Sequence, residues 1–428
     1  MRKIIDLHLH SKYSRATSKF FDLAEITKWS KIKGVDIVAC PDFTHPKWFQ
    51  EIKSNLQETE KDSGLFYLKN DTSGVKFLLA TEVACIYRQN DKTRRVHLSI
   101  LMPSLASVEK FNQALTDRGA KLASDGRPIL GLSAKQVLEI MLSVDANAIM
   151  IPAHIWTPWF ALFGSKSGFD TLEECFEDLS PHIKALETGL SSDPLMNWHW
   201  SELDKYTLVS NSDAHSGPNI GREANVMDLK EETYQEIIDI LKYKDKKKFL
   251  YTIEFFPENG MYHWDGHRDC AFSCSPEQSK KYQNICPKCH KTLTLGVEYQ
   301  VKKLGDRKTA TAERGPAKGE KEINRNNYIP YKSIVPLPEI IADYLQVNKS
   351  SKKVETLFLD IISKSKNEFA VLLDLDLPAL NKIMPENLAK GIIKVREGKI
   401  KLIPGFDGQY GKTEIFSSAE HYTTQKLF

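Results

Sequence analysis

Short apolar runs rich in β-branched residues are each followed, in order along the first half of the chain, by histidines or acids. Ile4-Ile5-Asp6-Leu7 leads into His8 and His10, and Val35 to Cys40 leads into Asp42. Val75 to Ala80 precedes Glu82, Val96 to Leu101 contains His97, Ala148 to Ile151 precedes His154, and Thr207 to Val209 precedes Asp213 and His215. A single His-x-His arises often by chance; an ordered series of such placements does not. Buried strands whose polar residues gather at their carboxyl ends form one mouth of an α/β barrel, so this pattern predicts such a barrel with a polynuclear metal site. Side chains two apart on a strand share a face, which explains the pairs His8 with His10 and Asp213 with His215.

Between these strands the periodicity turns helical. Leu23 to Ile32 repeats Ile26, Trp29 and Ile32; Ser104 or Ser107 caps a helix toward Leu115, and Ser133 caps one through Leu142. Leu172 to Leu179, Pro194 to Leu203 and Thr233 to Tyr243 are further helical segments, and Ile183 to Leu186 is a further strand. The alternation predicts a parallel sheet, most simply closed into a barrel of about seven strands. Imidazole and carboxylate ligands together suit zinc, manganese or iron, and clustered divalent ions are a common means of cutting phosphoesters. His45, His182 and His199 read as surface or core histidines. Glu187 is open between a ligand, a partner that orients a histidine, and a plain strand-end acid.

At 428 residues the chain exceeds one ordinary core, so smaller modules are expected after the barrel. Cys40, Cys85 and Cys175 lie in apolar or helical contexts and read as reduced core thiols. Cys270, Cys274, Cys286 and Cys289 cluster within 20 residues as two short-spaced pairs, the arithmetic of a structural zinc. Residues 270 to 332 carry 13 Lys and Arg against 6 Asp and Glu, an excess of +7 in a chain of net charge +3, which leaves −4 elsewhere. A basic module on a slightly acidic one suits contact with a phosphate backbone. Lys244 to Lys248 reads as a seam, and Gly305 to Asn327, almost free of large apolar residues, as a mobile loop. The expected organisation is therefore a catalytic barrel over 1-249, a four-cysteine module over 250-304, a flexible basic loop over 305-327 and a mainly helical region over 328-428. In that last region Pro338 fits a helix start and Leu380 to Val395 reads as a helix. No stretch of about 18 apolar residues occurs and Met1-Arg-Lys runs straight into a strand, so a cytoplasmic location is expected.

The ordered ligand set resembles the polymerase and histidinol phosphatase (PHP) superfamily over about residues 1 to 250, with His8-Leu-His10 as its first motif and Asp213-Ala-His215 as its last. The resemblance implies a distorted seven-stranded barrel holding two to three divalent ions (zinc, manganese or magnesium) and hydrolysing phosphoesters. It further implies that His8, His10, Glu82 and Asp213 hold one metal, that Glu82 bridges to a second held by His97 and His154, and that Asp42 and His215 touch a third. Asp213, Glu82 and His215 are then the catalytic residues. The second motif, usually Asp-His, departs here to Asp42-Phe43, with His45 two residues on.

Three further stretches extend the likeness nearly end to end. Asp6 to Lys19, the approach Tyr262-His-Trp-Asp-Gly-His-Arg-Asp-Cys270, and Pro404-Gly-Phe-Asp-Gly-Gln-Tyr-Gly411 are similar to the endonuclease Q family. That implies incision by metal-activated water 5′ of deaminated bases (uracil, hypoxanthine, xanthine) or abasic sites, with damaged DNA as partner. A base must leave the stack to be read, and Trp48, Trp156, Trp159 and Phe160 either wall such a pocket or belong to the core. Lys12, Lys19, Arg222 and Lys288 are candidate phosphate contacts; Phe406 and Tyr410 either pack the chain end or stack on bases. The alternatives are a PHP-type small-molecule phosphatase and a non-catalytic nucleic-acid-binding protein. The terminal glycine-rich turn lacks the Gly-Lys-Ser/Thr of a nucleotide-binding loop.

Overall fold

A computed structural model describes residues 1–307 and 328–422; most of the expected 305–327 loop lies outside the described residues. The predicted strands form with shifted ends: β1 (Arg2–Asp6), β2 (Ile37–Cys40), β3 (Lys76–Gln89), β4 (Lys92–Leu101), β5 (Ile149–Pro152), β6 (Ala185–Glu187) and β7 (Thr207–Val209). β1 pairs parallel with β2, β2 with β3, and β6 with β7. The expectation of a parallel sheet fails at β4, which runs antiparallel to both β3 and β5. Only Asn90 and Asp91 separate β3 from β4, and both have positive φ (50° and 56°), the backbone of a tight hairpin turn. The ring continues where the Ile155 N–H donates to Glu187 O (3.0 Å) and where Leu9 bridges to Ala214.

The caps behave as their chemistry predicts. Asp22 accepts from Glu25 N at the start of Leu23–Lys33, Ser104 rather than Ser107 caps Leu105–Asp117, and Ser133 forms a reciprocal capping box with Gln136 at Ala134–Val144. The segments at 172–179 and 194–203 each break into one short α-helix followed by a 3-10 turn. Cys40, Cys85 and Cys175 are buried free thiols.

The boundary expected after residue 249 falls at the start of a strand of the same sheet. β8 (Ala224–Asp228) lies antiparallel beside β1, β9 (Phe249–Phe255) lies beside β8, and after β10 (Asp265–His267) and β11 (Phe272–Cys274), β12 (Tyr331–Ile334) adds parallel to β9. One continuous apolar core therefore runs from Ile4 to Phe416. The carboxyl region carries helices Leu337–Leu345, Lys352–Ser363 and Glu386–Arg396; Pro385 interrupts the helix expected over Leu380 to Val395. It docks on Leu23–Lys33 through a buried Lys33–Glu368 ion pair (2.6 Å) and a Trp29–Phe358 stack. No helix among the described residues is long and apolar enough to cross a membrane.

Candidate metal centre

Side chains within β3 and β4 and just beyond the other strands bring most of the sequence-predicted ligands together. Nε2 of His10 lies 3.2 Å from Glu82 Oε2 and 3.1 Å from Asp213 Oδ1, and Nε2 of His8 lies 3.6 Å and 3.8 Å from the same two oxygens. These two imidazole nitrogens and Asp213 Oδ1 are buried and have no hydrogen-bond partner among the described residues. Orphaned donors and acceptors facing one point are costly unless a cation fills it, so the residues fit a metal ion. Glu82 presents its other oxygen, Oε1, to His97 Nδ1 (2.8 Å) and His154 Nε2 (3.2 Å), a second group within coordinating reach. His10, Asp213 and His215 form a third.

Asp42 departs from its expected place in the third shell. It is fully buried, its Oδ1 is 3.2 Å from His10 Nδ1, and its Oδ2 accepts from Ser11 N (2.6 Å) and Ser14 Oγ (2.8 Å). Oδ1 thus orients the His10 ring while Oδ2 holds the Ser11–Ser14 turn, and Asp42 lies outside the converging ligand groups. Gly126 is required beside it, since a Cβ there would stand 2.4 Å from Asp42 Oδ2. Glu187 resolves in the same sense: its two oxygens receive His8 Nδ1 (3.1 Å to each), the His154 backbone N–H (2.8 Å) and Asn211 Nδ2 (2.8 Å).

Asp42, His154 and Asp213 all have positive φ (53°, 32° and 46°), a region in which non-glycine residues are uncommon. Three such residues at one site mark backbone held in place by its surroundings. Arg222 supplies part of that restraint, donating from Nε to Ser212 O (2.8 Å) and from its terminal nitrogen to Asp213 O (3.3 Å). Asp6 ties the same loops, accepting from Ser212 N and Gly221 N at 3.0 Å each, and burial pushes its carboxyl up to about 6.

Electrostatics follow the packing. Burial alone would raise the Glu82 carboxyl, but His97, Arg127 and His8 hold it well below the usual range. Asp213 is likewise lowered against its burial by the neighbouring histidines. His8 and His10 rise despite burial because carboxylates face them, whereas burial lowers His97 to about 4. Arg127, absent from the sequence-based candidates, donates to Glu82 Oε2 at 2.9 Å with its side chain 25% exposed at the mouth. It lies in an ordinary-looking loop, and nothing in Asp125-Gly126-Arg127 marks it. His45 caps Pro46–Asn55 and stacks on Tyr13; with His182 and His199 it lies outside the ligand groups.

The cysteine site differs from the expected one. The four groups that converge are His267, Cys270, Cys286 and Cys289, with Cys289 Sγ 3.6 Å from His267 Nδ1. β10 pairs antiparallel with β11 so that His267 faces Phe272 at the hairpin tip beside Cys270, while Cys274 faces Asp265 two residues further down. Cys274 lies outside that foursome but next to it, in a small buried cluster with Cys286 and Leu293 against which Cys270 and Cys289 pack.

The remaining candidates divide. Trp156 and Trp48 are core residues, their indole N–H groups bonded to Asn197 Oδ1 and Pro41 O. Lys12 pairs with Glu51, the exposed Lys288 donates to Cys270 O, and Phe406 packs where a Cβ on Gly266 would sit. Trp159 is half-buried, and Lys19 and Tyr410 are exposed.

Residues 336–399 match the MJ0043 C-terminal domain family. The chain is 27% identical over 433 residues to the uncharacterized protein YqxK of Bacillus subtilis, covering 96% of this chain and 99% of that one. It is 31% identical over 264 residues to MJ0043 of Methanocaldococcus jannaschii, covering 60% of this chain but 31% of that longer protein. Two solved structures match along its full length. One is the lesion-specific endonuclease PfuEndoQ from Pyrococcus furiosus, at 28% identity, covering 98% of that chain with a TM-score of 0.82. The other is endonuclease Q in complex with a 27-mer duplex bearing an abasic lesion at the active site, at 29% identity, covering 100% of that chain with a TM-score of 0.84.

Proposed function

Since the chain is a homologue of endonuclease Q from end to end, we propose that it is a DNA-repair endonuclease, a metal-dependent phosphodiester hydrolase that incises 5′ of deaminated bases or abasic sites. The observation that carries this reading is the full-length likeness to the enzyme in complex with lesion DNA. A small-molecule phosphatase would account for the barrel alone, and a non-catalytic binder would have no use for three convergent ligand groups.

His8, His10, Glu82 and Asp213 would hold one divalent ion, Glu82 with His97 and His154 a second, and Asp213 and His215 beside His10 a third. Bound there, zinc, manganese or magnesium supplies an activated water and neutralises charge developing on phosphate and leaving oxygen. The chain's own residues do the positioning. Glu187 and Asp42 lock the rings of His8 and His10 through their Nδ1 atoms, leaving Nε2 of each aimed into the site. Arg127, anchored by one nitrogen on Glu82, keeps further guanidinium donors for the scissile phosphate. His267, Cys270, Cys286 and Cys289 would hold one structural zinc, all four positions filled by protein and none left for water.

Incubation with manganese and an end-labelled duplex containing a single uracil, hypoxanthine or abasic site tests the reading. A nick 5′ of the lesion is expected. Phosphate release from histidinol phosphate without nicking would replace this function with the phosphatase, and a gel shift without product would replace it with the binder.

A further inference from the structure

Beside the metal centre, at the seam with the zinc module, lies an open groove of about 760 Å³. Five Lys and Arg line it against two acids, Asp170 and Glu174. Two of the cations are already committed: Lys303 pairs with Asp170 (2.9 Å), and Arg94 lies 4.1 Å over the Phe169 ring. Lys92, Arg95 and Lys166 have no ion pair among the described residues, and Lys92 and Lys166 are exposed. An unneutralised cluster of this kind raises the local concentration of a polyanion.

The groove joins the metal centre through one aromatic layer. Arg95 and His97 stand two apart on β4, so they share a face about 6.7 Å apart along the strand. The Arg95 guanidinium sits 5.9 Å from the Phe160 ring centre, and that ring lies 4.6 Å from the His97 ring. Trp159 stands half-buried on the groove wall, edge-on to Tyr262 (5.9 Å). The opposite wall is helix Val297–Leu304 of the zinc module, which supplies Gln300 and Lys303, and Ser165 Oγ donates to Leu295 O (2.9 Å) across the seam. A polyanion in the groove would therefore touch the barrel and the module together, which gives the zinc module a part in substrate binding.

We propose that this groove binds the sugar–phosphate backbone of DNA flanking the incised bond, with Lys92, Arg95 and Lys166 each neutralising a phosphate. The inference rests on the endonuclease reading and adds to it the path that the strand takes from the metal centre.

Fluorescence anisotropy on the full chain, without divalent metal beyond the structural zinc, tests it with a labelled duplex holding one abasic site. The triple variant K92E/R95E/K166E is compared with wild type and with K61E/K230E/K352E, which makes the same charge change at exposed positions outside the groove. Losing three phosphate contacts should reduce the slope of log K against log salt by about 2.7, so that raising salt from 50 to 200 mM costs the groove variant about 40-fold less affinity than wild type. The control should keep the wild-type slope. Melting temperature and zinc content, unchanged in both, establish that the variants fold. A wild-type slope in the groove variant, or an equal loss of slope in the control, overturns the inference while nicking by wild type leaves the endonuclease reading intact. Failure of wild type to bind or nick the duplex instead overturns that reading, and this one with it.

Discussion

Glu187 is the residue through which the metal centre is best tested without touching a ligand. Its carboxylate is buried and accepts three donors: His8 Nδ1, Asn211 Nδ2 on Oε1, and the His154 backbone N–H on Oε2. Glu187→Gln preserves the shape but replaces one acceptor with an NH2 group. Neither orientation of the amide escapes conflict, because one points its N–H groups at Asn211 Nδ2 and the other at the His154 N–H. One charge-assisted bond is lost, worth about 1.5–3 kcal/mol, and a buried donor is left facing another donor. Loss of an outer partner to a ligating histidine lowers metal affinity by roughly 10- to 100-fold, or about 1.4–2.7 kcal/mol, so the two estimates agree. Competition with a chromophoric chelator should show manganese affinity weakened within that range, and added manganese should restore most of the incision. Unchanged metal affinity, or lost activity that no metal concentration restores, would refute the argument that Glu187 acts by orienting His8 and His154.

Asp213→Ala removes an oxygen that faces both His8 and His10 and should abolish incision while a gel shift still shows lesion-duplex binding; persistent nicking would exclude its ligand role. Cys286→Ser and His267→Ala should each release zinc and lower the melting temperature, whereas Cys274→Ala should keep zinc stoichiometric by metal analysis, since Cys274 lies outside the converging foursome. Burial pushes Glu254 up to about 8, and it faces the similarly raised Glu223. Its folded value lies above its unfolded one, so the stability from keeping it neutral is full below about pH 4.5 and lost as pH rises through 8. Glu254→Gln, read by thermal melting in a chelator, should flatten that decline between pH 5 and 9, and an unchanged pH profile would contradict the assignment.

The candidate ligand set was legible because each side chain lies within or just beyond a short apolar run, where the local pattern is strong, although Glu82 and His97 sit inside their strands rather than at the ends. What the local pattern lacks is direction and register. Alternation in Val96 to Leu101 marks a strand but not its sense; the reversal of β4 lay in the two residues Asn90 and Asp91, a hairpin signal easily passed over inside a run read as βαβ. β8 was missed for a related reason: Asn225 is buried and polar, bonding to Ile5 O, Ser210 O and Asn211 Oδ1, so the strand does not look apolar.

Register also decides which residues become ligands and which support them. Cys270 and Cys274 look equivalent by spacing, yet the β10–β11 hairpin carries one to its tip beside His267 and the other down its flank. Asp42 follows β2 whereas Glu82 lies within β3, and the positive φ of Asp42 turns its carboxylate back onto Ser11, Ser14 and His10. Arg127 reaches Glu82 from 45 positions away in sequence, a juxtaposition no local spacing encodes. Its effect is nevertheless required by the packing. A carboxylate wholly out of water needs positive charge close by, and a half-open site that exchanges ions needs some of that charge fixed to the chain. The guanidinium meets that need at the Glu82 oxygen that His8 and His10 also face, while His97 and His154 serve the other, so the same arrangement keeps the acid ionised and leaves a fixed cation at the mouth of the proposed site.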